Sequence, residues 1–254
     1  MPHRSFYAYA YGYTDSDIPA DIYYACLDGT HDNDGDGLYG ETSDGPAGGD
    51  IDIVAEVYVG RAPVDSTAEA DHFVSKTIQY ENSSHAYLNK VLLAGELLWS
   101  GSPNTYGGTY KNEIRYGSSH GGYTTAGLED IDTLQIETLY DMNSTWSVSQ
   151  IVAKLNAGVH IVNHLGHANV TYNMKFYNST ADTLTNTEHF ILYSQGCYCG
   201  SFDNRGTSTG SGAGTSDSIA EHFLGQAHGG VAILMNSRYG WGDPGGTLGL
   251  SLIH

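Results

Sequence analysis

Residues 158–203 read GVHIVNHLGHANVTYNMKFYNSTADTLTNTEHFILYSQGCYCGSFD. Two short apolar runs inside this stretch, VHIVNHL and HFILYSQG, each stop at a reactive side chain. His167 follows the first, and Cys197 follows the second with Cys199 close behind. Apolar runs of this length bounded by glycine read as buried strands. A thiol beside an imidazole is the pairing that nucleophilic cysteine chemistry needs, because the thiolate is the nucleophile and the imidazole is the base that makes it. Gly166 precedes the histidine, and Gly196 and Gly200 bracket the cysteines. Backbone can therefore approach a bound carbonyl closely, and its N–H groups can hold an oxyanion.

On either side of this stretch the chain alternates apolar and amphipathic segments. LNKVLLAGELLW (88–99) and DTLQIETLY read as strands, as does GGVAILMNS near the end. IDIVAEVYVGR (51–61) reads as a further strand, and DIYYACL, with Cys26 as a buried small hydrophobe, as a strand or edge segment. Ser66 with Glu69 and Ser147 with Gln150 have the spacing of capping boxes, so helices should begin after Ser66 and after Ser147. A short helix is expected near KNEIRYG and another over SDSIAEHFLGQ. Alternating strands and helices predict an α/β layer fold with a mainly parallel sheet, whose ligands sit beyond the carboxyl ends of the strands. Both His167 and Cys197 are then at that end.

The chain has 254 residues, enough for a sizeable core, and three cysteines, too few for a disulfide framework. Acidic residues outnumber basic ones 29 to 10, for a formal charge of -19. That balance disfavours nucleic acid and anionic membranes as partners and favours cations. No run reaches the roughly 20 apolar residues of a membrane span. The opening MPHRSFYAYAYGY lacks a leader pattern and the closing TLGLSLIH stops in an apolar stretch, so the sequence reads as a fragment. Abundant Gly and Tyr with few charges fit a secreted or cell-surface protein, and sequons at Asn82, Asn143, Asn169 and Asn178 are compatible with that.

Between residues 28 and 50 the composition turns to DGTHDNDGDGLYGETSDGPAGGD. Asp32, Asp34 and Asp36 alternate ahead of Gly37, the spacing that aims side chains at a common centre while glycine allows the sharp turn. With Asp28 and Glu41 they are the expected ligands of a structural Ca2+. The loop differs from the helix-loop-helix calcium hand, because its twelfth position is Ser43 and no amphipathic helices flank it. A solvated acidic loop without an ion is the plainer alternative. On this division 1–50 is an N-terminal segment bearing the loop, and 51–254 is the catalytic α/β domain.

The segments NHLGH (163–167) and QGCYCGSFD (195–203) resemble the histidine and cysteine segments of the gingipain-type cysteine peptidases, relatives of caspases and legumains. VYVGRAPVDSTAEADHFVSKTIQYE (57–81) is similar to a turn and helix of that family, and the acidic loop and the last helix and strand also have counterparts. The resemblance implies a caspase-like three-layer fold and a peptidase acting on polypeptides. It implies His167 as general acid/base and Cys197, through the C-x-x-G-x-F spacing to Gly200 and Phe202, as the nucleophile. Glu96 falls where a carboxylate orients the histidine, and Trp241 where an aromatic ring walls the substrate pocket. The oxyanion would be held by backbone around Gly166, Ala168, Gly196 and Cys197, and Glu113 is a carboxylate available to a basic substrate side chain. Two departures stand beside the chemistry: Ala168 replaces a usual glycine, and His164 a usual tyrosine. Two other readings compete: a zinc site of His164, His167, Cys197 and Cys199, and a non-catalytic calcium-binding surface module.

Overall fold

The computed structural model describes residues 3–10, 13–44, 54–83, 86–120, 122–203, 205 and 217–240. These group into two compact units that divide between Ala62 and Pro63, later than the 50/51 boundary.

The first unit opens with an antiparallel hairpin of β1 (Arg4–Ala10) and β2 (Tyr13–Ala20), followed by the short helix α1 (Ile22–Ala25). DIYYACL is thus helical where a strand was expected. Asp21, at its head, is held by Arg61 through Nε at 3.1 Å and a terminal nitrogen at 2.6 Å. Residues 54–61 form no strand either, and 51–53 lie outside the described residues. The backbone of Glu56 and Val57 instead donates to the carbonyl of Ala25, at 3.0 and 3.2 Å.

The second unit begins with α2 (Thr67–Glu81), started by the Ser66–Glu69 capping box. Then come β3 (Lys90–Gly95), β4 (Leu97–Trp99), β5 (Thr105–Tyr106) and α3 (Gly107–Tyr116). The hairpin of β6 (Gly117–His120) and β7 (Tyr123–Ala126) leads to β8 (Gln135–Tyr140). Helix α4 (Val148–Asn156) starts at the Ser147–Gln150 box, and β9 (Ile161–Leu165) follows it. A small hairpin of β10 (Tyr172–Asn173) and β11 (Phe176–Tyr177) runs into α5 (Asn178–Ala181). β12 (Phe190–Ser194), α6 (Ile219–Gly225) and β13 (Gly230–Met235) complete the described order.

Five of these strands form one parallel sheet in the order β13-β12-β9-β3-β8. Alternation along the strands sends side chains to two faces. Leu92, Ala94, Val162 and Leu192 join Ile151 and Leu155 of α4 and Ile219 and Phe223 of α6 in the main core. Val91 and Leu93 pack with Tyr140 on the other face, where α3 lies against β3 and β9. Burying each such aliphatic side chain contributes about 1.5–3 kcal/mol, which is why the strands read so plainly as apolar runs. This is a helix–sheet–helix α/β fold with a parallel centre. The expected single strand over 88–99 is interrupted at Glu96: its N–H makes the last bond of β3 to β9, at the carbonyl of Leu165, and the chain continues as β4 in a separate two-stranded sheet.

Candidate active site

Strand register brings the two reactive side chains to the same edge. Ser194 of β12 lies opposite His164 of β9, and His164 lies opposite Ala94 of β3. Cys197 and His167 each follow three residues beyond their paired position, and Glu96 two residues beyond Ala94. Three adjacent strands thus deliver Cys197, His167 and Glu96 to one end of the sheet. The loops also touch, since a Cβ built on Gly196 would overlap the Cβ of Ala168.

The two cysteines have different surroundings. Cys197 is partly exposed, whereas Cys199 is buried and its thiol donates to the carbonyl of Gly196 at 3.3 Å. Burial pushes the Cys199 thiol up to about 12, so it stays protonated at neutral pH. Between them Tyr198 takes φ 58°, in the left-handed region that non-glycine residues seldom adopt.

His167 is exposed, and its Nε2 lies 2.7 Å from the carbonyl oxygen of Leu98 in β4. A carbonyl only accepts, so Nε2 carries the hydrogen and Nδ1 of the neutral ring keeps the lone pair. The break at Glu96 is what puts Leu98 within reach. Among the described residues no hydrogen bond joins the Cys197 sulfur to this ring.

Glu96 is buried, and its carboxylate meets His164, not His167: Oε1 is 3.0 Å from His164 Nε2. The expected orienting contact on His167 is therefore corrected. His164 occupies the inner position on β9 and intercepts the carboxylate. Gly166 lies directly over this pair, because a Cβ there would meet both the Glu96 side chain and His164 Nε2. The other ring nitrogen of His164, Nδ1, is 2.9 Å from Ser194 Oγ. Both nitrogens being engaged, His164 has no free lone pair for zinc alongside Cys197.

Of the expected oxyanion groups, Gly196 is also corrected. Its N–H donates to Ser194 Oγ at 3.2 Å and its carbonyl accepts from Asn236 at 3.1 Å, so its role is to hold the loop. Glu113 lies on α3 two residues from Lys111 and is partly buried. Trp241 lies outside the described residues.

Sequence reading missed two cations. Lys111 of α3 is buried, and its Nζ donates to Asn163 Oδ1 of β9 at 2.6 Å and to Gln195 Oε1 at 3.2 Å, two residues before Cys197. Arg238, just past β13, is buried against Asp203 with a 2.6 Å ion pair, and its carbonyl accepts from Tyr198 N–H at 2.7 Å. Burial alone would raise the Asp203 carboxyl, but the hydrogen bonds and charge of Arg238 hold it below the usual range. Lys111 sits in TYKNEIRYG and Arg238 in NSRYGWG, neither of them an apolar run that would have marked a buried cation.

In the first unit, carboxylate oxygens of Asp32, Asp34 and Asp36 all lie within 4.8 Å of one another. Gly35 and Gly37 make the turns between and after them at φ 75° and 88°. One oxygen of Asp32 is buried without a hydrogen-bond partner among the described residues, as an ion ligand would be. Asp28 and Glu41 stand outside this cluster. The Glu41 carboxylate takes the Ser43 hydroxyl, and the residue that closes the loop is Asp44, buried and accepting from Asn33 N–H at 2.7 Å and Glu41 N–H at 2.9 Å. Among the described residues no helix is long and apolar enough to cross a membrane.

A search of curated protein sequences finds no match. Among solved structures, the fold is similar to a crystal structure of the Arg-specific cysteine proteinase gingipain R, with TM-score 0.58 and 19% identity over 85% of this chain and 43% of that one. A complex of the pro- and mature domains of the Porphyromonas gingivalis enzyme aligns with TM-score 0.59 and 18% identity, over 87% of this chain and 45% of that one. A further structure described as a protease aligns with TM-score 0.61 and 17% identity, over 89% and 42%. This chain therefore spans less than half of the chains it resembles, and at these identities the likeness is one of fold, that of the caspase-like α/β sandwich. The sequence itself matches the model of peptidase family C25 over residues 2–254, so the chain belongs to that family, the gingipain family of cysteine peptidases.

Proposed function

We propose that the chain is the catalytic part of a secreted or cell-surface cysteine endopeptidase in which Cys197 and His167 work as a dyad on polypeptide substrates. The observation that carries this reading is the register: the two residues stand at equal distance past paired positions of adjacent parallel strands. His167 Nδ1 takes the Cys197 proton, and the thiolate attacks the scissile carbonyl carbon. The resulting oxyanion is held by the Cys197 N–H and an N–H beside His167, at Ala168. As the C–N bond breaks, His167 returns its proton to the departing amine and a thioester remains. Water then gives a proton to His167 while its oxygen attacks the thioester, and collapse releases the carboxylic acid product and the thiol. The Leu98 carbonyl keeps the ring oriented and favours the imidazolium that forms in each half.

Asp32, Asp34 and Asp36 are the residues that would hold a Ca2+ in the first unit, where the ion would screen carboxylate repulsion and brace the loop. Its part is structural and enters no step of the reaction.

The test is cleavage of a peptide library by the parent chain and by Cys197→Ala. The variant should lose turnover entirely while keeping the parent's melting temperature and circular dichroism; cleavage at the parental rate overturns the reading.

A further inference from the structure

Glu96 and His164 belong to a longer buried chain. Ser194 Oγ touches His164 Nδ1 at 2.9 Å, Asn173 Nδ2 at 2.8 Å and the Gly196 N–H at 3.2 Å. Ser194, His164 and Asn173 are buried, with relative exposures of 2%, 0% and 0%. A hydroxyl has one hydrogen and two lone pairs. Asn173 and Gly196 fill the lone pairs as donors, so the Ser194 hydrogen must go to His164 Nδ1. That ring then carries its own hydrogen on Nε2, which points at the Glu96 carboxylate. Donation along Gly196 N–H, Ser194, His164 and Glu96 thereby runs in a single sense. Connected buried networks rigidify what they bind, whereas breaking a link leaves a further unpaired polar group.

The terminal donor of this chain is the N–H of the Gln195–Gly196 peptide, the unit next to the one that carries the Cys197 N–H. We propose that Glu96, His164 and Ser194 act as a buried positioning relay that fixes the Gln195–Gly196 peptide, and through it the adjoining Cys197 N–H, for oxyanion binding, in place of a carboxylate acting on His167. The inference rests on the peptidase reading. A Ser-His-Glu constellation resembles a hydrolytic triad, but Ser194 is sealed from solvent and its oxygen already accepts two hydrogen bonds, so it has no nucleophilic role. His167 does not need the carboxylate, because Leu98 already orients its ring. Glycine at 166 is what allows the relay to close, since any Cβ there would fall on the Glu96–His164 contact.

Three variants test it: Ser194→Ala, Glu96→Gln and the double change, with Cys197→Ala alongside. Hydrogen exchange at the Gly196 and Cys197 amides should rise at least about tenfold in each relay variant, at unchanged exchange of the β9 and β12 core. Peptide turnover should fall about 10- to 100-fold in kcat, less than the loss of a whole oxyanion donor, with KM nearly unchanged. The double variant should be no slower than the slower single one, because both break one network. The pH profile of Cys197 alkylation, which needs no oxyanion hole, should match the parent in all three. Unchanged exchange at 196–197 overturns the relay whatever the activity. So does a Glu96→Gln variant that displaces the alkylation profile while Ser194→Ala keeps parental kcat, since that pattern puts Glu96 on His167. Turnover that survives Cys197→Ala overturns the peptidase reading itself, and is distinguished because the exchange result does not depend on it.

Discussion

Gly196 and Ala168 meet where the cysteine and histidine loops converge, and the space between them holds one Cβ and no more. The family glycine that Ala168 replaces would leave that space empty, so the alanine has taken up room that Gly196 concedes. Gly196→Ala should therefore cost about 1–3 kcal/mol through overpacking and displace the Cys197 loop. Adding Ala168→Gly to that variant should recover part of both melting temperature and peptide cleavage. Equal damage in the single and double variants would show that the two Cβ positions do not compete. The same scale separates the sulfurs, because the Cys199 thiol donates a hydrogen bond to a backbone carbonyl inside the core while Cys197 is left partly exposed. Spacing to Gly200 and Phe202 had already selected Cys197, and burial supplies an independent reason.

At the scale of elements, α3 and the segment after β13 brace the cysteine loop from two directions. Lys111 ties β9 to the end of β12, and Arg238 ties Tyr198 and Asp203 to the exit of β13. Burial lowers the Lys111 ammonium to about 7, and the groups facing it are the neutral amides of Asn163 and Gln195 and the ring of Tyr193, whose phenol burial raises. In the unfolded chain the same lysine titrates near 10.4. Between about pH 7 and 10 the unfolded state thus binds the extra proton, so this residue's contribution to stability rises with pH across that window and is flat below it. Denaturant midpoints of the parent and Lys111→Met, compared from pH 6 to 10, should diverge in the parent's favour as pH rises. A constant difference would mean that Lys111 stays charged in the fold. Neither brace was legible beforehand, since the contacts join residues 52 and 84 positions apart and depend on which helix face meets the sheet.

For the molecule as a whole, the -19 charge makes cations the natural ligands, and three clustered aspartates with a buried unpartnered oxygen are where one would be held. Saturating calcium at about 100 times its dissociation constant stabilises by about 2.7 kcal/mol. Melting followed by tyrosine fluorescence should shift upward by several degrees with calcium over chelator in the parent and not in Asp32→Asn/Asp34→Asn. The same shift in both chains would remove these residues from the site. The sequence by itself determined the parallel α/β architecture, both capping boxes, the two strand-end residues and the family, because apolar period, local cap spacing and short motifs are written within a few residues of one another. It misplaced DIYYACL and residues 54–61, where short apolar segments carry too little periodicity to separate strand, helix and loop. Only the tertiary structure decided who partners whom: Glu96 turns to His164, Leu98 serves His167, and Asp44 closes the loop in which Glu41 was expected to bind. Those choices belong to the tertiary structure because a hydrogen bond is set by distances of a few tenths of an ångström between strands far apart in the chain, and no local pattern encodes them.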